Sequence, residues 1–188
     1  MRAISLFSGL GGMDFGFSEA GFNVEIANEI DLNAARNYSI NCENTLMEVG
    51  SIQDPKVFKK LTSVRGVDLV FGGPPCQGFS VAGKMNPADE RSQLIWDFLK
   101  VVEHTKPKIF VMENVKALAI SNRWTSIREK LLKKADDLKY QAAIIVLNSS
   151  KFGVPQNRER MFFIGISNRI PVGSDKNNLK KMLYERAE

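Results

Sequence analysis

Phe71-Gly72-Gly73-Pro74-Pro75-Cys76-Gln77-Gly78-Phe79-Ser80 follows directly on Val67-Asp68-Leu69-Val70, a short β-branched run that reads as a buried strand. The glycines and prolines therefore lie at that strand's carboxyl end, where open α/β sheets bind their ligands. Two consecutive prolines stiffen the loop and flanking glycines let other groups approach its backbone, so Cys76 reads as a positioned nucleophile. The alternative is a buried structural cysteine, but those usually sit inside apolar runs rather than in a Gly-Gly-Pro-Pro turn.

Upstream, Ala3-Ile4-Ser5-Leu6-Phe7 predicts a first strand, and Ser8-Gly9-Leu10-Gly11-Gly12 a glycine turn. An apolar-periodic helix containing Met13, Phe15, Phe17 and Ala20 follows, ended by Gly21. Strand, glycine turn and helix are the parts of a nucleotide-binding βα unit, in which a ligand approaches backbone amides at a helix start. Asp14 stands where the dinucleotide fingerprint has its third glycine, so the pyrophosphate pattern is broken and a ligand without phosphates fits better. The second strand, Asn23 to Asn28, delivers Glu29 about 20 residues beyond the turn, where a carboxylate accepts hydrogen bonds from ribose hydroxyls. An acidic residue opening the helix that starts near Asp31 is an equally compatible role. A ribose ligand lacking pyrophosphate points to S-adenosylmethionine.

Downstream, Leu46-Met47-Glu48-Val49 predicts a third strand and Asp54-Pro55 the start of a helix. The polar connection from Val81 to Arg91 is long enough for a lid, with Gly83 as hinge. Leu94, Ile95, Phe98, Leu99 and Val102 repeat at helical spacing and read mostly as core, and His104 reads as a last-turn residue. Lys108 to Met112 predicts a fifth strand with Glu113-Asn114-Val115 at its carboxyl end, on the rim of Cys76 in a parallel sheet. Trp124 to Asp137 predicts a helix, Gln141 to Leu147 a sixth strand and Met161 to Ser167 a seventh. Between those two strands lie Arg158 and Arg160, whose planar forks suit phosphates and carbonyl oxygens. A surface ion pair with Glu159 is their ordinary alternative.

At 188 residues and 44% hydrophobic content the chain has material for one domain, which the pattern places at residues 1–167, with a charged tail at 168–188. No run of about 18 apolar residues appears, and Met1 leads straight into a strand pattern, so neither a membrane span nor a signal peptide is expected. With Cys42, Cys76 and His104 as the only cysteines and histidine, a disulfide framework is excluded and no metal site is expected. A net charge of +5 suits a polyanionic partner, although much of it lies in Lys130 to Lys139 and Lys176 to Arg186, which read as solvated helix faces.

Together, Phe7-Ser8-Gly9-Leu10-Gly11-Gly12, Gly73-Pro74-Pro75-Cys76-Gln77-Gly78-Phe79-Ser80, Glu113-Asn114-Val115 and Gln156-Asn157-Arg158-Glu159-Arg160 resemble, in order and spacing, the cytosine carbon-5 DNA methyltransferases. The resemblance implies a Rossmann-like S-adenosylmethionine-dependent methyltransferase fold, a mostly parallel seven-stranded α/β sheet with helices on both faces. It implies S-adenosylmethionine held by Phe7, Ser8, Gly9, Leu10, Gly11, Gly12, Glu29, Ile30, Ser51, Ile52, Pro75 and Leu94. Cys76 matches the nucleophile, Glu113 the carboxyl that engages the base, and Arg158 and Arg160 the arginines near the nucleotide; Gln77 and Ser80 fall to the substrate. Ser51 departs from the pattern, since many relatives carry an aspartate that bonds the adenine amino group.

The chemistry accounts for these residue types. Cytosine carbon 5 is too poor a nucleophile to attack a sulfonium methyl until a thiolate adds at carbon 6. A protonated or proton-sharing Glu113 would neutralise charge at ring nitrogen 3, which at neutral pH needs a raised pKa in a dry site. Neither step works inside a stacked duplex, so the base is expected to be flipped out. The expected partner is double-stranded DNA, and the expected compartment the prokaryotic cytoplasm, at the nucleoid in use. Full-length relatives carry a target-recognition domain and a returning segment that this chain does not contain, so a second subunit supplying recognition, or a truncated and inactive binding module, is expected instead. A transfer-RNA cytosine methyltransferase and a nicotinamide oxidoreductase are the rival functions; the broken third glycine argues against the latter.

Overall fold

A computed structural model describes residues 1–75, 90–170 and Leu179. The chain divides into two compact units, one of Met1–Pro75 with Gln93–Phe110 and one containing the described residues from Val111 onward.

In the first unit, β1 (Arg2–Leu6), β2 (Asn23–Glu29), β3 (Leu46–Val49) and β4 (Leu69–Gly72) are strands. They alternate with α1 (Gly12–Glu19), α2 (Leu32–Asn41) and α3 (Pro55–Ser63), and α4 (Glu90–Thr105) follows. The helix starts are written in the sequence: Asp31 caps α2 by accepting from Ala34 N–H at 2.7 Å, and Asp54 caps α3 at Lys56 N–H, with Pro55 in the first turn. β1 pairs in parallel with both β2 and β4, and β2 in parallel with β3. Buried Ile4, Leu6, Tyr38, Leu61, Phe71, Phe98 and Leu99 form this unit's core.

β4 runs two residues further than the sequence predicts, because Phe71 and Gly72 still pair with Ser5 and Leu6. Gly72 is forced there by close approach: a Cβ on it would lie 2.1 Å from the Leu6 carbonyl oxygen. Helix α1 also corrects the expectation. Its inward residue is Asp14, while Phe15 is 70% exposed; Phe17, three positions after Asp14, turns inward and packs on Phe71 with ring centroids 4.4 Å apart and planes tilted by 44°.

The second unit holds α5 (Lys116–Ile120), α6 (Thr125–Asp137) and the antiparallel pair β6 (Tyr140–Asn148) and β7 (Glu159–Ser167), around buried Met112, Leu118, Leu131, Met161 and Phe163. Strand β5 (Ile109–Val115) extends three residues past the predicted end, so Glu113 lies within a strand. The seven strands make one mostly parallel sheet in the order β3-β2-β1-β4-β5-β7-β6. That order reverses between β1 and β4, the topological switch point beside which doubly wound sheets bind ligands.

Candidate functional site

At the carboxyl end of β1 the backbone turns through Phe7 at φ 54°, Gly9 at 56° and Gly11 at 89°, all left-handed. Phe7 in that region is a strained side-chain-bearing residue held by its surroundings. Ser8 N–H donates to Asn28 O and Gly11 N–H to Ser8 O, both at 3.0 Å. Gly9 N–H donates to Glu29 Oε2 at 2.8 Å, and Glu29 Oε1 accepts from Ile30 and Asp31 N–H at 2.7 and 2.9 Å. Glu29 thus already fastens the glycine turn to the start of α2. A carboxylate has about four lone-pair sites, so one remains for a ribose hydroxyl.

The surroundings fit a nucleoside. Leu10 and Ile30 present large apolar side chains to solvent, 63% and 68% exposed, at neighbouring strand ends. Ser8 Oγ is buried without a hydrogen-bond partner. Next outward, Gly50 N–H donates to Glu29 O at 2.9 Å, and the buried Asn28 amide donates to the carbonyls of Glu48 and Gly50 at 3.0 and 2.9 Å. Ser51 Oγ accepts from Gln53 N–H at 3.2 Å, leaving its own proton to donate. Ile52 is 2% exposed, so its side chain belongs to the core and only its backbone can meet a ligand. Gln53 is anchored to α4 by a 2.8 Å bond to buried Asp97, which Lys100 also meets at 2.7 Å. Leu94 and Pro75 are half-buried.

In the second unit, Glu113 on β5 faces the start of β7. Its Oε1 lies 3.0 Å from Arg160 Nε and 3.9 Å from Arg158 Nη2, with the glutamate side chain 21% exposed. Burial pushes the Glu113 carboxyl above its ordinary range, and the two guanidinium charges oppose that without reversing it. The Glu159 carboxylate, between the arginines, pairs with Lys116 at 2.6 Å, so the carboxylate the arginines face is that of Glu113, while Arg160 Nη1 also donates to the Glu159 backbone carbonyl at 2.9 Å. The arrangement can offer a proton, or a shared one, from a carboxyl backed by two fixed cations.

Cys76, Gln77, Ser80 and the Val81 to Asp89 part of the expected lid, Gly83 included, lie outside the described residues. His104 is in the last turn of α4, its Nδ1 2.8 Å from Lys100 O. Among the described residues no acidic, histidine or cysteine cluster suited to a metal occurs. Sequence reasoning missed the buried pair Asp14 and Tyr38, whose hydroxyl donates to Asp14 Oδ1 at 2.8 Å. The signal was an acidic residue at a helical spacing of three from Phe17, on the helix's inner face.

The chain matches the family described as C-5 cytosine-specific DNA methylase over residues 1–187. It is 40% identical over 177 residues to the Type II methyltransferase M.DdeI of Desulfomicrobium norvegicum, an alignment covering 92% of this chain and 42% of that one. It is 41% identical over 176 residues to the Type II methyltransferase M.AquIA of a Picosynechococcus species, covering 87% and 71%. Among solved structures, a DNA modification methyltransferase encoded within a prophage (E. coli) superposes with a TM-score of 0.79 at 31% identity, over 94% of this chain and 49% of that one.

Proposed function

Because the chain belongs to the C-5 cytosine-specific DNA methylase family, we propose that it carries the catalytic centre of a DNA (cytosine-5)-methyltransferase acting on duplex DNA. The observation that carries this reading is Glu113, a carboxyl raised by burial while two arginines stand against it. A carboxyl in ordinary solution is ionised at neutral pH and has no proton to offer a ring nitrogen.

S-Adenosylmethionine is the cofactor we assign to the glycine turn, and when bound it supplies an electrophilic methyl on a sulfonium. The turn amides would hold its methionine end, Glu29 would take a ribose hydroxyl, Ile30 and Leu10 would cover apolar faces, and Ser51 and the Ile52 backbone would meet the base edge. Pro75 and Leu94 complete the lining.

Cys76, as thiolate, forms a bond to carbon 6 of the flipped cytosine, and the ring double-bond pair moves to carbon 5. Glu113 neutralises the negative charge that reaches ring nitrogen 3, and Arg160 and Arg158 fix the carboxyl's direction. Once carbon 5 carries the methyl, a base removes its proton, that pair re-forms the double bond, and the Cys76 sulfur leaves with its electrons. Gln77 and Ser80 are assigned to substrate contacts beside the nucleophile.

The chain spans 42% of one curated relative and 71% of the other. We assign target-sequence recognition to the part of such enzymes that these residues do not span, in the same polypeptide or in a second subunit. Among the described residues no helix is long and apolar enough to cross a membrane. The reading puts the enzyme in a prokaryotic cytoplasm, at work on the nucleoid.

The test is incubation of the purified chain with duplex DNA and methyl-labelled S-adenosylmethionine, alone and with a candidate recognition fragment, with Cys76→Ala as control. Label on cytosine carbon 5 that disappears in Cys76→Ala supports the proposal. Cofactor binding without label in either mixture defeats the catalytic assignment.

A further inference from the structure

Asp14 breaks the dinucleotide pattern, yet nothing in the proposed reaction uses it. It is the third residue of α1, 2% exposed, and accepts the Tyr38 hydroxyl at 2.8 Å. Tyr38 belongs to α2, the helix whose start is fastened to Glu29, and is completely buried. Its ring lies directly against the glycine turn. A Cβ placed on Gly11 would stand 3.1 and 3.2 Å from two Tyr38 ring carbons and 3.4 Å from Cys42 Sγ. The turn is therefore held twice, by the Glu29 carboxylate at Gly9 and by an aromatic floor at Gly11.

We infer that Tyr38 and Asp14 are positioning residues for cofactor binding: the hydroxyl-to-carboxyl bond fixes the ring on which the left-handed Gly11 rests. This rests on the reading of the glycine turn as the cofactor site. The pair joins elements from two successive βα units, so the ring cannot shift without moving α1 against α2. Asp14 Oδ2 and Ser5 Oγ, on the adjoining strand, are buried without partners. Losing the Tyr38 donor would remove the 2.8 Å bond to Asp14 Oδ1 from a carboxyl that is only 2% exposed. Burial raises the Asp14 carboxyl above its ordinary range, against the hydrogen bonds it receives. An asparagine keeps the acceptor for Tyr38 and adds a donor for a hydroxyl that lacks one.

The test is calorimetric titration of the full chain with S-adenosylhomocysteine, for the parent and for Tyr38→Phe, Asp14→Ala, Asp14→Asn and Leu61→Val. An unsatisfied buried group costs about 1–3 kcal/mol, so Tyr38→Phe and Asp14→Ala should each weaken binding by roughly 5- to 150-fold. Asp14→Asn should stay within about twofold of the parent, the conservative rescue. Leu61→Val thins the same unit's core away from the turn and should lower thermal stability while leaving affinity unchanged, which separates positioning from general destabilisation. Amide exchange at Gly11, whose N–H is bonded to Ser8 O, should quicken in Tyr38→Phe and Asp14→Ala only. Affinity within twofold of the parent in both variants, or a loss matched by Leu61→Val, overturns the inference. A parent that binds no S-adenosylhomocysteine refutes the cofactor assignment instead; the exchange at Gly11 then decides alone whether Tyr38 supports the turn.

Discussion

Gly72→Ala should be among the most damaging single-methyl additions in the first unit. Gly72 pairs with Leu6 across the β1/β4 ladder, and the new Cβ would sit 2.1 Å from the Leu6 carbonyl oxygen and 2.9 Å from its carbon. Ordinary contact begins at 3.4 Å, so the two strands must part by about 1.3 Å at their carboxyl ends. Backbone cannot rotate away as a flexible side chain can. Overpacking of this kind costs about 1–3 kcal/mol, and one or two stretched ladder bonds add roughly 1 kcal/mol each, for about 2–5 kcal/mol in all. In a chain of this length each kcal/mol lowers the melting temperature by about 2–4 °C, so a fall of about 4–20 °C is expected. The strands part where β1 enters the glycine turn, and cofactor affinity should fall with stability. Gly16→Ala supplies the opposite sign: its Cβ meets nothing within 4 Å in the interior of α1, and it should stabilise by about 0.5–1 kcal/mol. Paired thermal melts followed by circular dichroism read both. A Gly72→Ala protein melting within about 2 °C of the parent would refute the close-approach argument.

Glu29→Gln replaces an acceptor oxygen with an amide donor facing backbone N–H groups, so cofactor dissociation constants should rise about tenfold or more; unchanged calorimetric affinity would count against the latch. Arg160→Met removes the nearer cation from Glu113, leaving burial less opposed. The carboxyl should then titrate at a higher pH than in the parent, measured by carbon-13 NMR of the labelled side chain, and a lower or unmoved titration would sink this account. Asp14 has a folded pKa raised above 3.8, so its contribution to stability is complete below that pH and is lost as pH rises through the folded value. Asp14→Asn removes that loss. Urea midpoints should favour the variant increasingly as pH rises above 3.8 towards the folded value, and a pH-independent difference would contradict the assignment.

Much of this fold is written in short-range chemistry. Asp54-Pro55 announces α3 and Asp31 announces α2 because capping is local to one turn, and the β-branched runs mark strands whose cores pack from both sides. What escaped depended on partners distant in sequence. Phe71 and Gly72 looked like loop because glycine and proline follow them, yet the ladder to β1 carries them as strand. Phe15 looked like core because it is apolar, and phase on the helix placed Asp14 inward instead. The five-residue helix α5 is too short for any periodicity to declare it. For the site, residue types and spacing singled out Glu29, Glu113, Arg158 and Arg160 as candidates, but not their connections. That Glu29 spends three hydrogen bonds on backbone, and that Lys116 takes Glu159 so both arginines face Glu113, are facts of three-dimensional pairing.

On the proposed cofactor assignment, the Glu29 carboxylate would couple the glycine turn to the start of α2 rather than leave them as two adjacent subsites. One oxygen holds Gly9 and the other holds the start of α2, so a ligand fragment that orders either side orders the other. Adenosine alone should then raise the affinity for methionine, and by reciprocity methionine should raise that for adenosine by the same factor. Titrating each fragment with and without the other measures that factor, and a value of one would mean that the carboxylate transmits nothing. Under that assignment the coupling would bear on inhibitor building: a compound filling only the proposed nucleoside half would still restrain the glycine turn.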